Sequence, residues 1–281
     1  MIPNQWADRG LGPLATDTDA VSTASSLRQV PLPAGRRLDW PVAASIIRPL
    51  SSAESVAANL GHLEERIRAA CDRAGRSRDE IRLVAVTKTR SPADIMAAAA
   101  SGISDIGENR VQEAAGKKPL VTAPLVWHLV GHLQRNKARK ALDIFSVFHS
   151  VDSVRIAREL QRRCQQTGTE VKVLVEVNTS GEPTKFGVDP ELVAPLVEQV
   201  LDQSLLELVG LMTIGPGWAV QDPEASRPCF RALARLAQRT RQQFGIPLPQ
   251  LSMGMSADYE QAIEEGATIV RIGTAIFGPR D

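Results

Sequence analysis

From Ser51 onward, short apolar runs alternate with longer stretches in which apolar residues recur every three or four positions. The short runs have strand length, and the periodic stretches have the spacing of amphipathic helices. Ser51-Ser-Ala-Glu54 has capping-box spacing and opens the first predicted helix. Val56, Leu60, Leu63, Ile67 and Ala70 follow on one face, and the helix is expected to stop near Gly75. The first strand, Ile81–Thr89, is apolar and β-branched, the pattern of a strand buried on both faces. Ser91-Pro-Ala-Asp94 then opens a helix with proline in its first turn, running to Ser101-Gly102. The alternation continues with strands at 103–109, 125–131, 146–151, 171–178, 206–214, 248–253 and 269–277. Helices fall between them at 111–121, 134–142, 153–167, 190–202, 224–244 and 258–265. Eight strands alternating with helices predict a single (β/α)8 TIM barrel. An open doubly wound sheet usually has fewer strands, and no GxGxxG follows the first strand to favour it.

Residues 1–50 are different. They are rich in Ser, Thr, Asp, Gly and Pro, hold no sustained period, and are predicted to be a disordered N-terminal extension. The barrel domain is then 51–281. The whole chain has 281 residues, 43% of them hydrophobic, enough for a sizeable core. Its formal charge of +1 gives no field to attract nucleic acid or an acidic membrane. The basic run Arg135–Lys140 lacks interleaved aromatics and reads as a solvated helix face. No apolar run reaches membrane-spanning length, and no secretory signal pattern is present. Cys71, Cys164 and Cys229 are odd in number and lack CxxC spacing, which fits reduced thiols in the cytoplasm better than disulfides or zinc.

Barrel sites form at the C-terminal strand ends. Lys88 closes the first strand, where an ammonium costs several kcal/mol unless it is paired, deprotonated or covalently used. Lysines so placed often become nucleophiles toward carbonyls; the plain alternative is a snorkelling side chain. Asn109 ends the second strand. Ser256 stands where the helix holding Tyr259 begins, either as an anion contact or as an ordinary N-cap. Gly273 lets backbone approach a phosphate closely, or is only a barrel-corner bend, and Thr274 adds a hydroxyl. His128 and His132 straddle a strand end and a loop, so they share no helix face and no metal is expected. An imine-forming lysine with a phosphate cradle suits a sugar phosphate, as in Schiff-base aldolases, or pyridoxal 5′-phosphate (PLP). Arg271, in phase with Gly273, favours PLP. It could face the ring nitrogen and, unable to give up its proton, would keep that nitrogen unprotonated.

Several stretches together resemble the pyridoxal phosphate homeostasis proteins. They are Ala85-Val-Thr-Lys-Thr89, Gly107-Glu-Asn-Arg-Val-Gln-Glu113, Trp127-His-Leu-Val-Gly-His-Leu-Gln-Arg-Asn-Lys137 and Ser150-Val-Asp152. Further matches are Val177-Asn178 with Lys185-Phe-Gly187, Gly210-Leu-Met-Thr213, Leu251-Ser-Met-Gly-Met-Ser-Ala-Asp258 and Arg271-Ile-Gly-Thr-Ala-Ile-Phe-Gly278. They run in order from about Ser51 to the end. The resemblance implies a PLP-binding barrel of fold-type III, related to the alanine racemase N-terminal domain. It implies Lys88 as the Schiff-base lysine, with Ser256, Gly273 and Thr274 holding the phosphate. Arg271 would face the ring nitrogen and Asn109 would lie beside the cofactor. It further implies a carrier or regulator of PLP supply without an established catalytic reaction, with apo forms of PLP-dependent enzymes as possible recipients.

The rival reading is an amino-acid racemase, which needs a base on each face of the substrate adduct. In the related racemases the second base is a tyrosine from a separate β domain. This sequence shows no such domain after strand eight, and its single tyrosine, Tyr259, falls on the phosphate side. A monomeric carrier is therefore expected. Lys185 reads as a surface-loop lysine, a second imine site or a phosphate guide.

Overall fold

The computed structural model describes residues 52–279. The predicted N-terminal extension, and Ser51 of the first capping box, lie outside the described residues. The apolar runs pair edge to edge in chain order. β1 (Arg82–Val86), β2 (Asp105–Glu108), β3 (Val126–Leu129) and β4 (Val147–Val151) are followed by β5 (Val171–Glu176), β6 (Leu206–Met212), β7 (Gln250–Ser252) and β8 (Ile269–Ile272). All neighbours are parallel, and β8 returns to β1, closing the predicted eight-stranded barrel. Parallel strands cannot be joined by hairpins, so the chain crosses back over the outside of the sheet. The crossovers are α2 (Pro92–Ala100), α3 (Val111–Lys117), α4 (Ala138–Leu142), α5 (Val154–Thr167), α6 (Val193–Leu201), α7 (Arg227–Phe244) and α8 (Tyr259–Glu264). α1 (Ser52–Ala74) precedes the barrel and α9 (Thr274–Phe277) follows it. Among the described residues, no helix is long and apolar enough to cross a membrane.

Outward strand residues and the inner helix faces form one large core that includes Ile106, Trp127, Phe148, Leu160 and Phe230. The lumen holds a smaller apolar cluster of Val84, Val147, Leu174, Val209, Met212 and Ile269. Buried polar residues, among them His128, His149, Ser252 and Arg271, share the strands with that cluster. α2 starts as its sequence predicts. Ser91 Oγ accepts from the Asp94 N–H, Asp94 returns the bond to the Ser91 N–H, and Pro92 sits in the first turn. The three cysteines are free and buried, as their spacing suggests.

Two strand ends differ from the sequence reading. The run 269–277 is not one strand: β8 stops at Ile272, and Thr274–Phe277 winds into α9. β1 is paired with β8 only as far as Ala85–Ile272. Beyond that point the Gly273 carbonyl accepts from the Ile276 and Phe277 N–H groups, each at 3.0 Å. An apolar run this short satisfies either period, and lost strand partners plus a glycine decide it. Likewise β1 ends at Val86, so Lys88 sits in the following turn, half-buried rather than inside the sheet. α1 braces this corner from outside. Asn59 Nδ2 donates to the Ile276 carbonyl at 2.9 Å, and Arg66 and Arg73 pair with Glu260 on α8. Such exposed pairs contribute at most about 1 kcal/mol each. The stronger hold is the burial of Leu63, Ile67 and Ala70.

Candidate functional site

Lys88 stands between two clamped neighbours. Val84 on β1 faces the lumen, and Lys88 follows in the turn that leaves the strand at its C-terminal end. The Thr87 side chain and the Thr89 backbone meet the layer under α3. Thr87 Oγ1 donates to Glu108 Oε1 at 2.6 Å, and the Thr87 carbonyl accepts from Lys117 Nζ at 2.7 Å. The Thr89 N–H donates to Glu113 Oε1 at 2.5 Å. Lys117 Nζ also binds Glu108 at 2.7 Å and Glu113 at 2.6 Å. Thr89 has φ of 66°, a left-handed conformation uncommon for a threonine, and this clamp holds it there. Burial pushes the Glu108 carboxyl up, and it outweighs the bonds from Lys117 and Thr87 that pull it down.

The next corner is the junction of β8 and α9. Gly273 packs against β1, where an added Cβ would sit 3.3 Å from the Val86 carbonyl oxygen. Lys88 therefore follows, by two residues, the backbone on which Gly273 rests. Ser256 does not cap the helix after it. The N-cap of α8 is Asp258, while Ser256 Oγ accepts from the Gly273 and Ala275 N–H groups, each at 3.3 Å. Those long bonds mark two backbone donors and a hydroxyl converging on one spot, the donor set a phosphate takes. Thr274 lies between them, exposed, as the first residue of α9. With four residues α9 is too short for a dipole argument, so the individual donors matter. The loop carrying Ser256 is fixed by Asp258, whose carboxylate accepts from the Met255 N–H at 2.7 Å and from Ser226 Oγ at 2.6 Å.

Arg271 is buried in the lumen at 4% exposure. It donates from Nη1 to Ser252 Oγ at 2.6 Å and from Nη2 to the Thr213 carbonyl at 2.8 Å. Burial lowers its pKa to about 10, with Asp258 and Glu176 opposing, so it remains a cation at neutral pH. Asn109 follows β2 at the same rim, beside a recess of about 620 Å³ that Arg110, His132, Lys137 and Phe186 help to line. Gly131 makes that packing possible, because a Cβ there would lie 2.4 Å from the Asn109 carbonyl oxygen. Lys88, Asn109, Ser256, Gly273 and Thr274 thus gather at one rim, with Arg271 just inside it. His128 and His132 part company, one in the lumen and the other stacked on Phe186 at 4.0 Å between ring centroids. Lys185 is tied down by Glu182 at 2.5 Å and by the Gly215 carbonyl.

Glu176, at the end of β5, is not among the residues the sequence singles out. It has the phase of lumen-facing Leu174, is 4% exposed, and its Oε2 has no hydrogen-bond partner. Burial first, then Asp152, raise its pKa from 4.5 to about 7, against the pull of Arg271. The native state therefore holds this proton more tightly than the unfolded chain does. Stability should fall as pH rises through that window, by at most about 3 kcal/mol. Glu176→Gln removes the penalty. In urea unfolding, the cofactor-free variant should match wild type at about pH 4 and exceed it at about pH 8. A constant difference across that range would show that Glu176 does not titrate there. The signal available in the sequence was a carboxylate on the inward phase of a buried strand.

Known proteins match this arrangement. A family model described as alanine racemase, N-terminal domain, covers residues 58–281. The pyridoxal phosphate homeostasis protein of Aquifex aeolicus is 43% identical over 222 residues, 79% of this chain and 96% of the relative. That of Pseudomonas aeruginosa is 41% identical over 228 residues, 81% of this chain and 96% of the relative. Among solved structures, PipY of Synechococcus elongatus with PLP bound aligns at a TM-score of 0.70 and 33% identity, covering 79% of this chain and 100% of PipY. The same protein without PLP aligns at 0.72 and 35%, with the same coverage. On the barrel and these matches, the chain belongs to the pyridoxal phosphate homeostasis protein family, built on the alanine racemase N-terminal fold.

Proposed function

We propose that this chain binds PLP and carries or buffers it inside the cell, holding it through a reversible imine with Lys88 and turning over no substrate. The observation that supports this most is the packing of Gly273 on Val86, two residues before Lys88, with the Ser256 hydroxyl and the Gly273 and Ala275 N–H groups converging beside that seam. When bound, PLP supplies an aldehyde and an electron-withdrawing ring. The Lys88 amine would hold that aldehyde covalently with loss of one water, and addition of water would return free cofactor. Ser256 Oγ, the Gly273 backbone N–H and Thr274 hold the phosphate. Arg271 faces the ring nitrogen and, with no proton to yield at neutral pH, leaves it an acceptor. Asn109 borders the ring. Apo forms of PLP-dependent enzymes are the proposed recipients, and the carrier acts as a cytoplasmic monomer.

The racemase alternative draws no support from the single tyrosine, which does not stand at the rim. Tyr259 is 2% exposed and lies between α8 and α1, with the Arg66 guanidinium carbon 5.7 Å from its ring centroid. Burial pushes its phenol up, away from use as a base. The loaded protein is expected to restore activity to an apo PLP-dependent enzyme while leaving D- and L-alanine unchanged in a chiral assay. Interconversion of the two at ordinary enzyme rates would reject the carrier reading.

A further inference from the structure

A continuous file of buried side chains crosses the lumen from the cofactor rim to the opposite one. Arg271 Nη1 on β8 donates to Ser252 Oγ on β7 at 2.6 Å. Ser252 Oγ lies 2.9 Å from His149 Nδ1 on β4, and His149 Nε2 lies 2.9 Å from His128 Nδ1 on β3. His128 Nε2 lies 2.8 Å from Asp105 Oδ1, at the first residue of β2. Ser104 Oγ donates to the other Asp105 oxygen at 2.6 Å, and Arg82 Nη1 approaches Oδ1 at 3.2 Å. Exposure along the file is 4% at Arg271, 0% at Ser252 and His149, 1% at His128 and 6% at Asp105. Its far end borders a cavity of about 920 Å³ at the N-terminal rim, lined in part by Arg82, Ser104 and Asp105.

The two ends fix the direction of every bond between them. Arg271 only donates. Burial pushes the Asp105 carboxyl up, but the bonds from His128 and Ser104 and the nearby charges outweigh it, so the group stays an acceptor. His128 must then donate from Nε2. Burial, with His128, Arg271 and Arg82 adding to it, holds His149 well below its ordinary pKa, so His149 carries one proton. If that proton were on Nδ1, His128 would have to be a second buried cation. The Ser252 hydroxyl would then face two donors and have no acceptor in the file. With the proton on His149 Nε2, each bond has one donor and one acceptor. Ser252 gives its hydrogen to His149 and turns a lone pair to Arg271. A satisfied buried network of this kind holds its members in one arrangement.

We propose that Asp105 is a positioning residue for the cofactor, acting from the far rim through His128, His149 and Ser252 to fix how Arg271 presents its guanidinium. This rests on the reading of the rim as a PLP site, and the test separates the two. In the cofactor-free protein, nitrogen-15 NMR should show both imidazoles as Nε2–H tautomers and slowly exchanging Arg271 N–H signals. Asp105→Ala should mix the tautomers and speed that exchange. Asp105→Asn, whose Oδ1 can still accept from His128, should restore the wild-type pattern. In the PLP-loaded protein, Asp105→Ala should keep one PLP per chain on Lys88, shift its absorbance band and release PLP about tenfold faster, as outer partners of a bound group do. Arg78→Ala, at the same rim but outside the file, should change none of these. If Asp105→Ala does not fold, Ser252→Ala breaks the file at its middle and should give the same two changes. Unchanged tautomers and unchanged release in the variant, or equal changes from Arg78→Ala, overturn the proposal. A wild-type protein that shows the tautomers but takes up no PLP overturns the cofactor reading instead.

Discussion

Lys88→Ala is expected to abolish the near-visible absorbance that PLP-loaded protein shows, while leaving the fold intact. On the proposed reading the imine with Lys88 would be the source of that band, and Lys88 is the lysine in the turn beside Gly273 and Ser256. The residue is half-buried in a turn and contributes little to either core, so the melting temperature should stay near that of wild type. Ser256 and the Gly273–Ala275 backbone remain in the variant. Weak binding of PLP without the band is therefore expected, measurable by equilibrium dialysis beside the spectrum. A full-strength band in Lys88→Ala would move the imine to another lysine, and Lys185 would be the first to examine.

Lys117→Met should be the most destabilising single change near the site, at about 3–5 kcal/mol, the usual cost of stripping a buried carboxylate of its cation. Lys117 is 8% exposed and Glu108 0% exposed, and Glu108 Oε2 has no hydrogen-bond partner. Removing the ammonium leaves Glu108 charged in an apolar layer and takes one of two donors from the Thr87 carbonyl, which keeps the Arg90 N–H. Glu108 already has a raised pKa from burial, and losing the cation raises it further. The sign follows: protonation relieves the variant, so its deficit should shrink as pH falls and grow as pH rises. Urea unfolding at several pH values checks this. A second change, Glu108→Gln on top of Lys117→Met, should recover much of the loss, because it removes the stranded charge. PLP binding should weaken in the single variant beyond its loss of stability, because Thr87 and Thr89 no longer hold the Lys88 turn. A stability change under about 1 kcal/mol would mean that the pair contributes little to the fold.

The barrel was legible because its strands are short apolar runs separated by helices of regular period, with caps such as Ser91–Asp94 marking where helices begin. It failed at Ile269–Phe277, where six of nine residues are apolar and both periods fit. Only pairing with β1, which runs out at Ile272, separates strand from helix there. Reading the strand ends for polar residues brought Lys88, Asn109, Ser256, Arg271, Gly273 and Thr274 onto one rim. It left Ser256 open between an anion contact and an N-cap, since a serine before a helix looks like a cap whether or not the chain uses it so, and the cap of α8 is Asp258. What stayed hidden depends on long-range pairing. Lys117 sits beside Lys118 in a stretch that reads as a solvated helix end, and only the α3–β2 contact shows it buried against Glu108. The lumen file draws one residue from each of five strands, β8, β7, β4, β3 and β2. Its members are up to 166 positions apart, Asp105 to Arg271, and no local pattern joins them.

The most direct test of the account is borohydride reduction of the wild-type protein loaded with PLP, followed by peptide mapping. Reduction makes the imine permanent and leaves the label on the nitrogen that formed it. The account predicts one label per chain, on the peptide containing Lys88. Recovery of the label at full yield on a different lysine, or no label at all from loaded protein, contradicts it.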